Sequence, residues 1–289
     1  MAKKTISGTS LARDTLSKIE FAPLREKAKW VRREVLEMCL AAGAGHIAPA
    51  FSCTDILVAL YQSGIIRVDP KNPKHPDRDR FILSKGQGCA SLYAVLADMG
   101  FLPVEELRTY CQLGTYLGGH SESNVPGVEA FTGSLGQGLS LGAGMALSAK
   151  MDNKSFLTFV LLGDGELQEG SIWEAAMFAG HHRLNNLVAI VDRNKLQAIN
   201  FTEDALRLEP LDLKWEAFGW DVKIADGHSF EDMIPLFKEL RSRNSDKPLA
   251  VIAKTIKGKG VSFMQNRTIW HFRIPTGEEV AQARKELQI

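Results

Sequence analysis

Five short apolar runs, at residues 80–83, 156–162, 187–191, 221–224 and 249–252, are separated by segments whose apolar residues recur at helical spacing. Parallel strands need a dozen or more residues for each crossover, usually supplied by a helix. The alternation therefore predicts an α/β chain: a mainly parallel sheet with helices on both faces. From 24 to 42 the stripe Leu24, Ala28, Val31, Val35, Met38 and Ala42 marks an amphipathic helix, which Gly43 and Gly45 end. A second helix is expected over 54–63 with Thr54 as its N-cap, and Pro70, Pro73 and Pro76 mark a surface loop. Residues 1–20 are polar and aperiodic, the pattern of a loosely held arm. Residues 21–289 read as one domain whose last part, from about 264, is an extension.

The balance of charge narrows the function. With 35 basic and 34 acidic residues the chain carries a formal +1, so no global field draws it to nucleic acid or to an anionic membrane, and phosphate recognition must be local. Cys39, Cys53, Cys89 and Cys111 are widely spaced, without CxxC or zinc-type pairing. That pattern fits structural thiols in a reducing compartment. No apolar run approaches the roughly 20 residues of a membrane span, and a cytoplasmic protein is the expectation.

Chemistry concentrates in residues 156–200. One strand ends at Gly163-Asp164-Gly165, and the next ends at Asp192-Arg193-Asn194, so both polar clusters fall at the carboxyl edge of one sheet, where open α/β sheets bind ligands. Asp164 supplies a hard anionic oxygen and Asn194 a neutral amide oxygen. These suit Mg2+ or Ca2+ and are poor for zinc, and the shell would be completed by a backbone carbonyl, water and diphosphate oxygens. Gly165 lets the backbone approach a phosphate and leaves its N–H open at a helix start. A GDG triplet alone reads equally well as a tight turn. A nucleotide site would need GxGxxG after a strand or GxxxxGK[ST], and neither occurs.

With Asn194 placed 30 positions after Asp164 across strand, helix and strand, the segment resembles the thiamine diphosphate motif, and within that class the chain resembles transketolases from about 24 to 287. Gly45-His46 is similar to the family's GHPG turn, whose histidine contacts sugar. DRDRFILSKGQG, residues 77–88, resembles the family's DRDRFVLSNGHG or SKGHG, with Gln87 where a histidine near the diphosphate is usual. GGHSE at 118–122 resembles GHPE, implying that His120 faces the thiazolium ring. Gly133-Ser134-Leu135-Gly136 is similar to a turn that holds the aminopyrimidine side of the cofactor. KTIKGKG and the later WH imply that Lys257 and His271 approach the diphosphate or substrate. The metal set implied is Asp164, Asn194 and the backbone oxygen of Leu196. Glu169 and Glu174, five apart and so not stacked on one helix face, match positions that form an acidic connection between two cofactor sites. His46, His120 and His271 are the candidates for polarising a donor sugar.

Transketolases continue into a pyrimidine-binding domain, which supplies the glutamate that acts on the aminopyrimidine, and then a third domain. Nothing in residues 1–289 resembles either. The resemblance therefore implies the N-terminal subunit of a split transketolase, needing a pyrimidine-domain partner in a two-plus-two heterotetramer, with thiamine diphosphate and Mg2+ (or Ca2+) as cofactors and sugars as substrates. Two rivals remain: a 2-oxo acid dehydrogenase or decarboxylase subunit, disfavoured by the blocks around His46, His120 and His271, and a non-catalytic cofactor-binding scaffold, which the Gln87 departure favours.

Overall fold

The computed structural model describes residues 20–289, so the arm expected over 1–20 lies, but for Glu20, outside the described residues. Five strands, β1 (Arg80–Leu83), β2 (Thr158–Gly163), β3 (Leu187–Arg193), β4 (Asp221–Asp226) and β5 (Leu249–Lys254), form one sheet in the order β1-β2-β3-β5-β4. Every pairing is parallel. All residues of β2 and β3 are buried, as apolar strands covered on both faces must be. β4, at the edge, keeps only Ala225 fully covered and leaves Ile224 exposed.

One core lies between the sheet and α1 (Ala22–Ala42), α2 (Ile47–Gln62), α3 (Cys89–Asp98) and α8 (Phe230–Lys238); the other lies beneath α4 (Gly138–Met151), α5 (Gly170–His181) and α7 (Leu211–Ala217). Between α5 and α7 sits the short α6 (Thr202–Ala205). The stripe of α1 faces the first core, with Ala28, Val31, Val35 and Met38 buried and Leu24 and Ala42 packed at its margin. Gly43 ends this helix in the left-handed region, φ 63°, its N–H donating to the Leu40 carbonyl.

The second helix differs from expectation. It starts at Ile47 rather than Thr54, and everything from Ile47 to Tyr61 is buried. Pro49 looks like a break but falls in the first turn, where no intrahelical N–H is required. Thr54 lies inside the helix and returns its hydroxyl to the Ala50 carbonyl at 3.0 Å. The early start matters for function, because it makes His46 the N-cap residue, at the carboxyl edge of the sheet. After Met264 the chain forms a turn at Thr268–Trp270 and then α9 (Glu278–Leu287), tied to α1 by Arg33 donating to the Leu287 carbonyl at 2.7 Å and by the Arg284–Glu37 pair.

Candidate functional site

In β3 successive side chains leave opposite faces, and the last two are charged. Asp192 points into the first core, where Lys85 pairs with it and Ser52 donates at 2.6 Å. Lys85 also donates to the Pro49 carbonyl at 2.9 Å. Burial opposes both charges, yet their mutual attraction prevails: Lys85 is held above and Asp192 below the ordinary value. Arg193 points the other way and donates to Asp164 at 3.1 Å, to Thr202 at 2.7 Å and to Glu209 at 2.8 Å. The two residues thus brace both sides of the strand end that presents Asn194.

Asp164 follows directly on β2, whose Gly163 is in register with Asp192. One carboxylate oxygen accepts from the Gly165 N–H at 2.8 Å, and the other accepts from Arg193 and the Lys195 N–H. The Gly165 N–H expected to stand open is therefore taken, and the segment that follows is a 3-10 turn, Gly165–Gln168, before α5 begins at Gly170. Gly165 is nonetheless forced to be small: a Cβ there would lie 2.9 Å from that of Gln197. Burial pushes Asp164 up to about 6, helped by the charge of Asp192 and opposed by Arg193. Arg193, which also pairs with Glu203 and Glu209, opposes that rise without cancelling it, and a hard cation beside the carboxylate would favour its charged form further.

Past β3 the chain kinks at Lys195, φ 68°, and doubles back. Leu196 faces Phe201 as an antiparallel pair, and the flanking bonds are Gln197 N–H to Asn200 and Thr202 N–H to Lys195. Leu196 is thus the non-hydrogen-bonded member, so its N–H and carbonyl turn away from the hairpin. Its N–H donates to Asn194 Oδ1 at 3.1 Å, which puts the carbonyl on the Asn194 side. Asp164, Asn194 and Leu196 line one cavity of about 310 Å³. Among the described residues there is no cluster of three or more His, Cys, Asp or Glu able to hold a metal unaided. A set of one carboxylate, one amide and one carbonyl fits a hard divalent cation whose other ligands arrive with a phosphorylated cofactor.

The same cavity is lined by His46, His120, His271, Gln87, Gly133, Leu135, Gly165, Glu169 and Lys257. Of the residues singled out in the sequence, Ser134, Gly136 and Glu174 are among those that do not line it. Ser134 is exposed on the turn, and Glu174 is exposed on α5. The rings of His46 and His120 meet edge to face at 5.4 Å, and those of His46 and His271 at 5.5 Å. Burial lowers His46 to about 4, with His120, Lys257 and Lys85 adding repulsion. Burial, then Lys257 and His46, lower His271 to about 3. Both rings are neutral at pH 7, and each then offers one donor and one acceptor. His46 Nδ1 is buried without a hydrogen-bond partner among the described residues, an orphan that a ligand hydroxyl or carbonyl would satisfy.

Several residues that build the cavity gave no distinct signal in the sequence. Glu166, buried, accepts from Ser84, from the Gly136 N–H at 2.9 Å and from the Gly163 N–H at 2.9 Å. It ties three cavity loops to one carboxylate. Gly86 allows two of those loops to touch, since a Cβ there would fall 1.9 Å from the Thr132 carbonyl oxygen. Gln168, Gln197 and Ala198 complete the wall.

Residues 25–289 match the family model described as transketolase, thiamine diphosphate binding domain. The chain belongs to the transketolase family. It is 46% identical over 256 residues to one of the subunits of the apulose-4-phosphate transketolase of Phocaeicola vulgatus, covering 89% of this chain and 90% of that one. It is 41% identical to the 6-deoxy-6-sulfo-D-fructose transketolase subunit SqwG of a Clostridium species, over 92% of this chain and 96% of that one. Among solved structures, the transketolase of Campylobacter jejuni superposes with a TM-score of 0.86 at 31% identity, over 92% of this chain but 43% of that one. The thiamine diphosphate-binding fold expected from the sequence is thus the one found. The chain matches split-transketolase subunits over nearly their whole length and spans less than half of the undivided enzyme.

Proposed function

We propose that this chain, with a partner polypeptide carrying the pyrimidine-binding region, transfers a two-carbon ketol unit from a ketose donor to an aldose acceptor, using thiamine diphosphate and Mg2+. The observation that carries this reading is the convergence on one cavity of a hard-oxygen set, Asp164, Asn194 and Leu196, with three histidines. Bound thiamine diphosphate supplies the nucleophilic carbon and the electron sink. The residues of this chain bind, orient and hold protons. Asp164, Asn194 and the Leu196 carbonyl hold the cation, which anchors the diphosphate. Gln87 offers its amide to a phosphoryl oxygen, while Gly133 and Leu135 line the side expected to take the aminopyrimidine. His46, His120 and His271 contact the hydroxyls and carbonyl of the donor, the unpartnered His46 Nδ1 accepting a hydroxyl proton.

A heterotetramer of two such chains and two partners accords with the outer face of α5. Glu174, Met177 and Phe178 share that face at i, i+3 and i+4, and all three are exposed. A carboxylate set among apolar side chains suits a subunit contact, and Glu169 at the cavity rim completes the acidic link proposed between two sites. The relatives named for apulose-4-phosphate and for 6-deoxy-6-sulfo-D-fructose support a ketose carrying an anionic group as the donor. Cytoplasmic residence belongs to the same proposal and is supported by four free thiols. Among the described residues no helix is long and apolar enough to cross a membrane.

The test is reconstitution with a candidate partner, thiamine diphosphate and Mg2+, followed by product analysis with a panel of phosphorylated and sulfonated ketoses. A new ketose two carbons longer than the supplied aldose is expected. Release of carbon dioxide from 2-oxo acids without ketol transfer would assign the chain to the decarboxylase side of the cofactor class. Cofactor binding without any turnover would make it a scaffold.

A further inference from the structure

The resemblance directs Lys257 toward a phosphate, and while Lys257 lines the cavity, two of its three ammonium donors are engaged within the protein. It is 2% exposed and donates to the Gln197 carbonyl at 2.8 Å. Its second contact is His271 Nδ1, also at 2.8 Å. An ammonium has three donors and no lone pair, so a protonated Lys257 can meet that nitrogen only if Nδ1 is the acceptor. The ring proton must then sit on Nε2. His46 packs edge to face on the same ring, at 5.5 Å and 87°, so the plane and the tautomer are set by different neighbours.

We propose that Lys257 is a positioning residue that locks His271 as its neutral Nε2–H tautomer, a fixed hydrogen-bond donor at the cavity wall for a carbonyl, hydroxyl or phosphoryl oxygen of the occupant. The opposite tautomer would place an N–H against an ammonium and an acceptor where the donor is needed. Because Lys257 is gripped by Gln197, the residue after Leu196, the loop bearing a proposed metal carbonyl and the histidine wall share one cation. The orientation of His271 is thereby coupled to the order of that loop. The tautomer assignment stands on the geometry of this chain alone; its use in turnover rests on the ketol-transfer reading.

The test is a long-range proton–nitrogen spectrum of the chain labelled with ¹⁵N-histidine, with the His271 signals identified by their absence from His271→Gln. Wild type is expected to show one Nε2–H tautomer, and Lys257→Arg, which retains a cationic donor, is expected to preserve it. Lys257→Met is expected to give averaged tautomers. In the reconstituted enzyme Lys257→Met should lower kcat by roughly 10- to 100-fold, taking as a guide the cost of removing groups that orient metal-bound histidines. In a His271→Gln background, where the amide keeps a donor near the Nε2 position, the same substitution should cost little. An Nδ1–H signal in the wild type, or a Lys257→Met spectrum identical to wild type, overturns the proposal. Both are read without cofactor or turnover, so a failure here leaves ketol transfer standing. If Lys257→Met does not fold, the wild-type spectrum still decides.

Discussion

Asp192 and Arg193 are neighbours in β3 whose charges serve opposite faces of the sheet: Asp192 closes on Lys85 beneath the cavity, and Arg193 closes on Asp164 at its floor. The Lys85–Asp192 pair is almost completely excluded from water. Removing Lys85 leaves the buried Asp192 carboxylate with the Ser52 and Thr255 hydroxyls as its side-chain partners. Lys85→Met should therefore destabilise the fold by about 3–5 kcal/mol, seen as a lower urea midpoint with an unchanged slope. Combining it with Asp192→Asn should cost less than the sum of the two single changes, because the groups interact directly. Strict additivity would show that the pair is not coupled.

Asp164 carries a second, independent prediction. Its carboxylate holds three protein donors and is still pushed up to about 6 by burial. Asp164→Asn keeps the shape but removes the charge available to a cation, and Asp164→Ala removes the oxygens as well. Thermal shifts and calorimetry in a magnesium titration should show that wild type gains stability from thiamine diphosphate plus Mg2+, as any ligand specific for the native state provides. Both variants should lose that gain. Unchanged affinity in Asp164→Ala would remove the metal assignment, and with it the main support for a diphosphate clamp.

The histidine wall predicts an acid sensitivity with a definite sign. His46 and His271 are lowered to about 4 and about 3, mainly by burial. Between pH 6.5 and those values the unfolded chain binds more protons than the folded one. Their contribution is intact above pH 6.5 and is lost progressively as pH falls through 6 toward 4. Asp164, raised to about 6, acts in the opposite sense over part of the same window. The histidine effect is therefore measured as a difference. His46→Asn and His271→Asn should each flatten the fall of the thermal midpoint between pH 6.5 and 4 relative to wild type. Parallel curves would mean that these rings titrate normally in the fold.

What the sequence made legible was set by periodicity and by position along the sheet. The five runs became the five strands; β2, β3 and β5 carry the apolar signature of buried parallel strands, whereas β4 at the edge, with Lys223 and an exposed Ile224, shows it least. Asp164 and Asn194 could be placed together because each follows a strand end. The start of α2 was hidden by Pro49, whose effect depends on which helical turn it occupies. The burial of Lys85, Asp192 and Glu166 was hidden for a related reason. A charge in the sequence looks the same whether it is solvated or buried, and its burial is decided by partners 107 and 82 positions away, Asp192 for Lys85 and Ser84 for Glu166. The two helix acids chosen from the resemblance, Glu169 and Glu174, are exposed in this chain, whereas Glu166 between Asp164 and Glu169 is enclosed.

Glu166 supplies the last prediction. Its two oxygens accept from Ser84 and the Gly136 N–H on one side and from the Gly163 N–H on the other. Burial raises its pKa, against the pull of those three donors and of Lys85. Glu166→Gln is nearly isosteric, but its amide can turn only one acceptor toward this ring of donors. The NH2 must then face either the Gly163 N–H or the pair formed by Ser84 and Gly136, leaving donor against donor in a dry site. A loss of about 2–4 kcal/mol is expected, from one or two hydrogen bonds to a charged acceptor together with the penalty of an unsatisfied group. Faster amide exchange should appear specifically at Gly136 and Gly163, the residues released. Glu166→Asp, which keeps the charge but shortens the reach, should retain one side of the network and fall between wild type and Glu166→Gln. If Glu166→Gln instead matches wild type in stability and exchange, the three loops are held by packing and the carboxylate does not organise them.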